Sequence, residues 1–143
     1  MKVVINRCFG GFGLSKEACQ RYWDIKGQQV WIEDDTKFKS FGLFTVWLVP
    51  PEDRLESKEG EAFYSMSMEE RKSYNEKHSE QTWYYRDVDR NDPTLVQVVE
   101  QMGDAANGSH SELAVVEIPD GVQWEIDEYD GREHVAETHR TWY

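Results

Sequence analysis

The chain has 143 residues, a length that predicts one domain with a single hydrophobic core. Its 16 basic and 28 acidic residues give a formal net charge of −12 at pH 7, and aromatic side chains make up 13% of the sequence. This negative charge argues against binding of DNA or of an anionic membrane through a basic face. The aromatic content argues against a wholly disordered chain.

No part of the sequence has the pattern of a signal peptide or of a membrane-spanning helix. Residues 1–8 lack an apolar segment of signal-peptide length. The longest apolar stretch, residues 43–49, is far shorter than the roughly 20 residues that a membrane helix needs. We therefore expect a soluble, intracellular protein. In that reducing setting Cys8 and Cys19 should be unpaired, and the absence of a C-x-x-C spacing argues against zinc.

A strand followed by a glycine-rich loop and a helix is predicted at the start of the chain. Alternating β-branched residues indicate a strand over residues 2–8. Residues 8–13, with the sequence Cys-Phe-Gly-Gly-Phe-Gly, then form what we call the glycine loop. Ser15 is a typical N-cap and Gly27 is typical of a helix end, so residues 16–26 are predicted to be helical.

The middle of the chain predicts two strands, an exposed charged loop, a polar helix and a third strand. The second strand is apolar at consecutive positions, which is typical of a central strand covered on both faces. Ser67 and Glu70 have the spacing of a capping box, which marks the start of the helix. In chain order these elements cover residues 30–32, 43–49, 52–62, 67–79 and 81–88.

The last third of the chain predicts a helix, a strand and a hairpin. Asp92-Pro93 is a strong helix start, and the helix is expected to end near Gly103 or at Asn107-Gly108. A strand over residues 113–118 and an Asp-Gly hairpin at residues 122–142 follow. Residues 1–143 are therefore predicted to form one α+β domain with a mostly antiparallel sheet and two or three helices. The expected buried face of the helix consists of Leu95, Val98, Val99 and Met102.

The glycine loop lies where a phosphate-binding turn would, between a strand and a helix N-terminus with free N–H groups. Its spacing matches neither the P-loop nor the G-x-G-x-x-G fingerprint. Two interpretations stay open, a ligand-binding loop and a tight strand-to-helix turn.

Arginines beside aromatic residues are the second candidate for ligand binding. Arg7 lies near Phe9 and Phe12, and Arg86 and Arg90 flank the run Trp-Tyr-Tyr. Aromatic faces can stack on a nucleobase, and arginine can hold phosphate with two hydrogen bonds. The alternative is a set of core aromatics with exposed arginines at a strand end.

Other chemistry finds little support in the sequence. The four histidines, at positions 78, 110, 134 and 139, do not have the spacing of a metal site. A nucleophilic Cys8 would need a histidine that the sequence cannot place nearby. Glu125, Asp127 and Tyr129 alternate along one strand face, which a solvated surface explains. We therefore expect neither an enzyme nor a bound metal or cofactor.

Two parts of the sequence resemble a family of small phage and prophage proteins. Residues 5–15 read Ile-Asn-Arg-Cys-Phe-Gly-Gly-Phe-Gly-Leu-Ser, and residues 115–120 read Val-Val-Glu-Ile-Pro-Asp. Residues 128–131 read Glu-Tyr-Asp-Gly, and residues 139–142 read His-Arg-Thr-Trp. The match covers residues 3–15 and about 90–142, with nothing specific between them.

The pattern is similar to the first class of Thoeris anti-defence proteins, which are phage sponges for cyclic ADP-ribose-type signals. The resemblance implies sequestration without cleavage, in the cytoplasm of the infected host, by a symmetric homo-oligomer; hexamers occur in that class, and some members also hold cyclic oligonucleotides. One departure is Ser109-His110, where the pattern has a basic residue after Asn-Gly. That departure would weaken a phosphate contact or change the pocket.

The expected ligand site combines the glycine loop, the arginines and the start of the helix at Asp92, and it could draw on two subunits. Two other functions compete with this one. An acidic phage protein that masks a host defence enzyme is favoured by the net charge, and a hydrolase lacks a recognisable constellation. The expected site residues are Arg7, Phe9, Gly10, Gly11, Phe12, Trp83, Arg86, Arg90, Asn91 and Asp92.

A homo-oligomer is also expected from composition. Six tryptophans are more than one small core normally absorbs, and aromatic residues are enriched in interface cores. Trp142-Tyr143 is a candidate interface element; its alternative is a strand end packed on its own sheet.

Overall fold

The computed structural model describes residues 1–35 and 42–138, which fold into an α+β structure with antiparallel sheets, as predicted. The chain divides into two compact units, residues 1–28 with 85–143 and residues 29–84. That the whole chain forms one domain stays a prediction. In chain order the described helices and strands are β1 (Lys2–Asn6), α1 (Lys16–Lys26), β2 (Trp31–Asp34), β3 (Phe44–Trp47), α2 (Glu61–Tyr64), α3 (Met68–Gln81), β4 (Thr82–Trp83), α4 (Pro93–Met102), β5 (Leu113–Glu117), β6 (Trp124–Tyr129) and β7 (Arg132–Glu137).

The first unit contains two pairs of antiparallel strands. β1 pairs with β5, so that Val4 lies opposite Val115. β6 and β7 form the predicted hairpin, with Tyr129 opposite Arg132. Its two turn residues, Asp130 and Gly131, have φ angles of 49° and 86°. Positive φ at both positions is typical of the type I′ turn that joins right-twisted strands, which is why Asp-Gly predicts it well.

Two capped helices pack together in the first unit. α1 has the predicted bounds: the Ser15 Oγ accepts a hydrogen bond from the Ala18 N–H at 3.1 Å, and Gly27 ends the helix with a φ of 75°. α4 begins as predicted, because an Asp92 carboxylate oxygen accepts from the Leu95 N–H at 2.9 Å. Of its predicted buried face, Met102 is half-buried, and Val96 is buried instead.

The core of the first unit lies between these two helices and β1. Every residue of β1 after Lys2 is buried, and α1 contributes a cysteine and a tyrosine that are also buried. Phe12 of the glycine loop and Leu14, which follows the loop, are also buried and continue this core. Its fully or largely buried apolar residues are Val3, Val4, Ile5, Phe12, Leu14, Ala18, Cys19, Tyr22, Leu95, Val96, Val98, Val99 and Ala106.

The second unit contains a three-stranded sheet in the order β2-β3-β4, so β3 is central, as its apolar run predicts. Val46 on β3 is buried, while the other three residues of that strand are half-buried. α3 begins at the predicted cap, because the Ser67 Oγ accepts from the Glu70 N–H at 3.1 Å. No residue of α3 is buried, in keeping with its polar sequence.

The predicted strand at residues 81–88 is wrong over most of its length. Only Thr82–Trp83 pairs, with Trp47 and Val46 of β3, and Tyr85–Asp87 forms a turn of 3-10 helix. Trp83, Tyr84 and Tyr85 are consecutive aromatic residues, so this segment lacks the apolar–polar alternation that is typical of a half-buried strand. The end of the predicted hairpin beyond residue 138, together with Trp142-Tyr143, lies outside the described residues.

No helix in residues 1–35 and 42–138 is long and apolar enough to cross a membrane. Both cysteines are free thiols in different surroundings: Cys8 is half-buried, and Cys19 is fully buried on α1. Burial, with a smaller effect of Glu17, raises the pKa of the Cys19 thiol to about 12. Since the thiolate is the reacting species, Cys19 should be chemically inert in the folded protein.

Alkylation of the native protein at pH 8 should therefore modify Cys8 and leave Cys19 intact. Intact-mass spectrometry should find one label per chain in buffer and two in denaturant, both without reductant. The Cys8→Ser variant is the control and should take up no label until it is unfolded. Labelling of that variant at the rate of an exposed thiol would contradict the assigned burial of Cys19.

Candidate functional site

A buried asparagine holds the glycine loop against two other segments. Asn6 is fully buried, and its Nδ2 donates to the carbonyl oxygens of Cys8 and Gly131, each at 2.8 Å. Its Oδ1 accepts from the Glu112 N–H at 2.8 Å. One side chain thereby fixes the start of the glycine loop, the β6–β7 turn and the residue before β5. Buried polar groups satisfied in this way make an arrangement rigid.

The glycines of the loop allow backbone to approach backbone. A Cβ atom on Gly10 would overlap the carbonyl oxygen of His110, and one on Gly131 would lie 2.7 Å from the Gly11 nitrogen. Gly11 itself has a φ of 113°, which disfavours any residue with a side chain. These contacts favour the interpretation as a tight strand-to-helix turn, although the loop also lines a cleft.

An ion pair closes the side of β1 that faces away from β5. The Arg90 guanidinium donates to both carboxylate oxygens of Glu133, at 2.7 and 2.9 Å. The same carboxylate accepts from the Asn6 N–H at 2.8 Å, and the Arg90 carbonyl accepts from the Val4 N–H at 2.8 Å. The Arg90 guanidinium lies 3.6 Å from the centre of the Phe12 ring. Its charge is therefore already balanced within the fold.

Six of the ten expected site residues line a cleft of about 320 Å³, which we call the glycine cleft. Three carboxylates and two arginines line it, and one of those arginines is the paired Arg90. The charge balance of this cleft is thus unfavourable for an anionic ligand. Its lining residues are Phe9, Gly10, Gly11, Phe12, Arg86, Arg90, Glu128, Asp130, Gly131 and Glu133.

A larger hollow of about 570 Å³ has the opposite character, and we call it the arginine hollow. Arg7 and Arg132 are exposed there, and the Arg132 guanidinium lies 5.6 Å from the centre of the Phe9 ring. The rings of Phe9 and Tyr129 are 56% and 79% exposed, unusual values for large aromatic residues. The lining residues are Ile5, Arg7, Phe9, Val116, Tyr129, Arg132, Glu133, His134 and Val135.

The two cavities share Phe9 and the buried carboxylate Glu133. Glu133 is neutralised by Arg90, so Arg7 and Arg132 are the charges that dominate the arginine hollow. Three aliphatic side chains add an apolar lining. An apolar surface with exposed aromatic rings and guanidinium groups suits a ligand that carries both a flat ring and a negative charge.

Three other expected site residues line neither cavity. Asp92 caps α4 and contacts Tyr22, whose pKa is raised by burial first and then by this carboxylate. Asn91 is exposed, and its Nδ2 lies 3.7 Å from the Met1 sulfur. Trp83 belongs to the second unit, on β4.

Sequence reasoning missed Tyr129, Arg132 and His134 as site residues. The sequence pattern predicts a solvated strand face at Tyr129, shows no metal-site spacing at His134 and indicates no role for Arg132. The signal that could have found them is local: Tyr129 and Arg132 flank the Asp-Gly turn, which places an aromatic ring and a cation side by side at a hairpin tip.

The described residues offer little for catalysis. No group of three or more His, Cys, Asp or Glu residues that could hold a metal occurs within residues 1–35 and 42–138. The Cys8 thiol donates to the backbone carbonyl of His110 at 3.1 Å rather than to an imidazole. The His134 Nε2 lies 3.5 Å from an Asp127 oxygen, and both side chains are exposed.

Replacing Arg90 by Met should destabilise the fold by about 3–5 kcal/mol, because it leaves the buried Glu133 carboxylate without its cation. The double variant Arg90→Met with Glu133→Gln should recover a large part of this loss, since the amide oxygen can still accept from Asn6. Chemical denaturation monitored by circular dichroism measures both. Arg21→Met, which removes an exposed guanidinium bonded to Gln101, is the control and should cost less than about 0.5 kcal/mol. Equal stability of Arg90→Met and Arg21→Met would refute the role of the ion pair.

No family model matches the chain, and neither a curated protein nor a solved structure matches it. The function therefore has to be inferred from the chemistry of the two cavities. Of these, the arginine hollow combines accessible aromatic surface with two arginines that form no ion pair with a carboxylate of residues 1–35 and 42–138.

Proposed function

We propose that the protein binds a cyclic nucleotide signal of the cyclic ADP-ribose type in the arginine hollow and sequesters it without cleaving it. The observation that carries the proposal is the juxtaposition of Phe9 and Tyr129, both mostly exposed, with Arg7 and Arg132 in a chain of net charge −12. An acidic protein that gathers cations around exposed rings creates a local site for an aromatic anion.

The two halves of such a ligand match the two kinds of side chain. A nucleobase can stack on the exposed ring of Phe9 or Tyr129, and the phosphates can accept hydrogen bonds from Arg7 and Arg132. The volume of about 570 Å³ lies within the range of small-molecule pockets.

The resemblance to Thoeris anti-defence proteins supports the ligand class and the biological setting. That setting is the cytoplasm of a phage-infected host, where a homo-oligomer would lower the concentration of an immune signal. Sequestration needs affinity and no chemistry, in keeping with a site of rings and guanidinium groups. No cofactor is required for this activity.

Arg132→Ala should weaken binding of cyclic ADP-ribose-type ligands by about 10- to 150-fold, the loss expected for one charged hydrogen bond. Phe9→Ala should weaken it as well, because the stacking surface is removed. Arg132 is exposed, so its replacement should leave the melting temperature unchanged. Isothermal titration calorimetry measures the affinities, and Arg21→Ala is the matched control because Arg21 lies on α1, outside both cavities.

The fate of the ligand distinguishes a sponge from an enzyme. Ligand released by denaturing the complex should have an unaltered mass by mass spectrometry. If the parent binds the ligand and both Arg132→Ala and Phe9→Ala bind it with the parent's affinity, the site is refuted. Failure of the parent to bind any cyclic ADP-ribose-type ligand or cyclic oligonucleotide would refute the function.

A second candidate function is the masking of a host defence enzyme by an acidic surface. The observation that favours it is the row of exposed carboxylates on β6, with Glu125 and Asp127 on one strand face. Such a surface can imitate the phosphates of a nucleic acid. Salt-sensitive binding to a nucleic-acid-processing enzyme, unaffected by Arg132→Ala, would place this function ahead of sequestration.

A further inference from the structure

The outer edge of β5 carries backbone groups that have no partner in the described residues. At the two ends of the β1–β5 pair, the Arg7 N–H donates to the Glu112 carbonyl, and Met1 and Ile118 exchange hydrogen bonds. The backbone groups of the even-numbered residues of β5 therefore face β1. The odd-numbered residues therefore point their N–H and C=O groups outward. The Leu113 N–H donates to the Asn107 Oδ1 at 2.8 Å.

Five outward groups remain on this edge. They are the N–H and C=O of Val115, the N–H and C=O of Glu117, and the C=O of Leu113. Within residues 1–35 and 42–138, β5 pairs with β1 alone. An open row of this kind is a template for pairing with another strand.

The sequence of β5 is that of an internal strand. Residues 113–116 read Leu-Ala-Val-Val, and all four are half-buried rather than exposed on one face. Edge strands are normally protected by charges, proline or a bulge, and residues 113–116 carry neither charge nor proline. The outer strand β2 does end in two acidic residues, Glu33 and Asp34. The open side of β1 is likewise closed by Arg90 and Glu133.

We propose that β5 pairs with β5 of a second copy of this chain, antiparallel and centred on Val115. In this register Val115 lies opposite Val115, and Leu113 lies opposite Glu117 of the second copy. The two valines exchange two hydrogen bonds. Each Glu117 N–H donates to a Leu113 carbonyl, which adds two more, so four of the five outward groups on each edge gain a partner.

Charge does not oppose a second copy in this register. A net charge of −12 opposes the approach of two copies through most of their surface. The edge of β5 has no charged side chain between Glu112 and Glu117, and pairing centred on Val115 keeps the two Glu117 carboxylates from lying opposite each other. The pairing joins two β1–β5 ribbons into a four-stranded sheet. It does not depend on the proposed nucleotide binding.

A cysteine at the centre of this pairing tests the register. Opposite residues of a hydrogen-bonded pair have Cα atoms about 5.5 Å apart, within the range of a disulfide. Val115→Cys in a Cys8→Ser background should therefore form a covalent dimer on mild oxidation. Ala114→Cys in the same background is the matched control: it lies opposite Val116, about 8 Å from its own copy by the strand spacings, and should stay monomeric on a non-reducing gel.

Proline at the same position tests the hydrogen bonds. Val115→Pro removes an outward N–H that β1 does not use, so the monomer should keep its circular dichroism spectrum. The two copies together lose two hydrogen bonds, which should weaken association by about 5- to 150-fold in sedimentation equilibrium. Val115→Thr keeps the N–H and the branched side chain, and should associate like the parent.

Either of two results would overturn the proposal. In the first, the parent protein has the monomer mass of 16.8 kDa at all micromolar concentrations, and the Val115→Cys variant does not cross-link. The other is an oligomer whose mass is unchanged by Val115→Pro and that Val115→Cys does not cross-link, which would place the interface elsewhere. Nucleotide titration of the Val115→Pro variant should still give the parent affinity, so failure of the pairing and failure of ligand binding are distinguishable.

Discussion

Within residues 1–35 and 42–138, β1 has one neighbouring strand, and on its other side its N–H groups bond to the two residues of one ion pair, Arg90 and Glu133. The Arg90 carbonyl and the Glu133 carboxylate accept from the N–H groups of Val4 and Asn6, in positions where a third strand would otherwise lie. The Arg90 carbonyl and the Glu133 carboxylate can take the place of a strand there because the Arg90 guanidinium neutralises the carboxylate, which accepts three hydrogen bonds in all. Removing either partner alone would leave an uncompensated charge in a place from which water is largely excluded, which is why the pair behaves as one structural element.

The positions of both cavities follow from this constraint. Glu133 belongs to β7, so the ion pair ties the hairpin to β1, and the Asn6 amide ties the hairpin turn to the glycine loop. Phe9 is then left exposed between the two cavities instead of packing in the core. Once Arg90 and Glu133 neutralise each other, the glycine cleft is left with Arg86 and the carboxylates of Glu128 and Asp130, while Arg7 and Arg132 lie in the arginine hollow. The buried polar network thus separates the structural Arg90 from the two arginines of the proposed ligand site.

Sequence patterns predicted what is decided locally. Ser15 and Gly27 delimit α1, Asp92 starts α4, and Asp-Gly makes the hairpin turn, each through contacts within a few residues. The Asn6–Glu133 hydrogen bond joins residues 127 positions apart, and no periodic pattern in the sequence predicts such a contact. For the same reason Arg90 was expected to bind a ligand, since its partner lies 43 residues away. The glycines were expected to approach a ligand, whereas they approach the backbone at His110 and at the hairpin turn.

The division of the chain into two units bears on the proposed ligand site. Both cavities are lined entirely by residues of the first unit. The second unit, residues 29–84, has its own sheet and its own buried valine. It enters the chain after a helix ended by Gly27, and surface connections of this kind tolerate the insertion of long segments. The proposed ligand binding through Phe9 and Arg132 therefore needs only side chains of the first unit, and the composition of residues 29–84 does not bear on it.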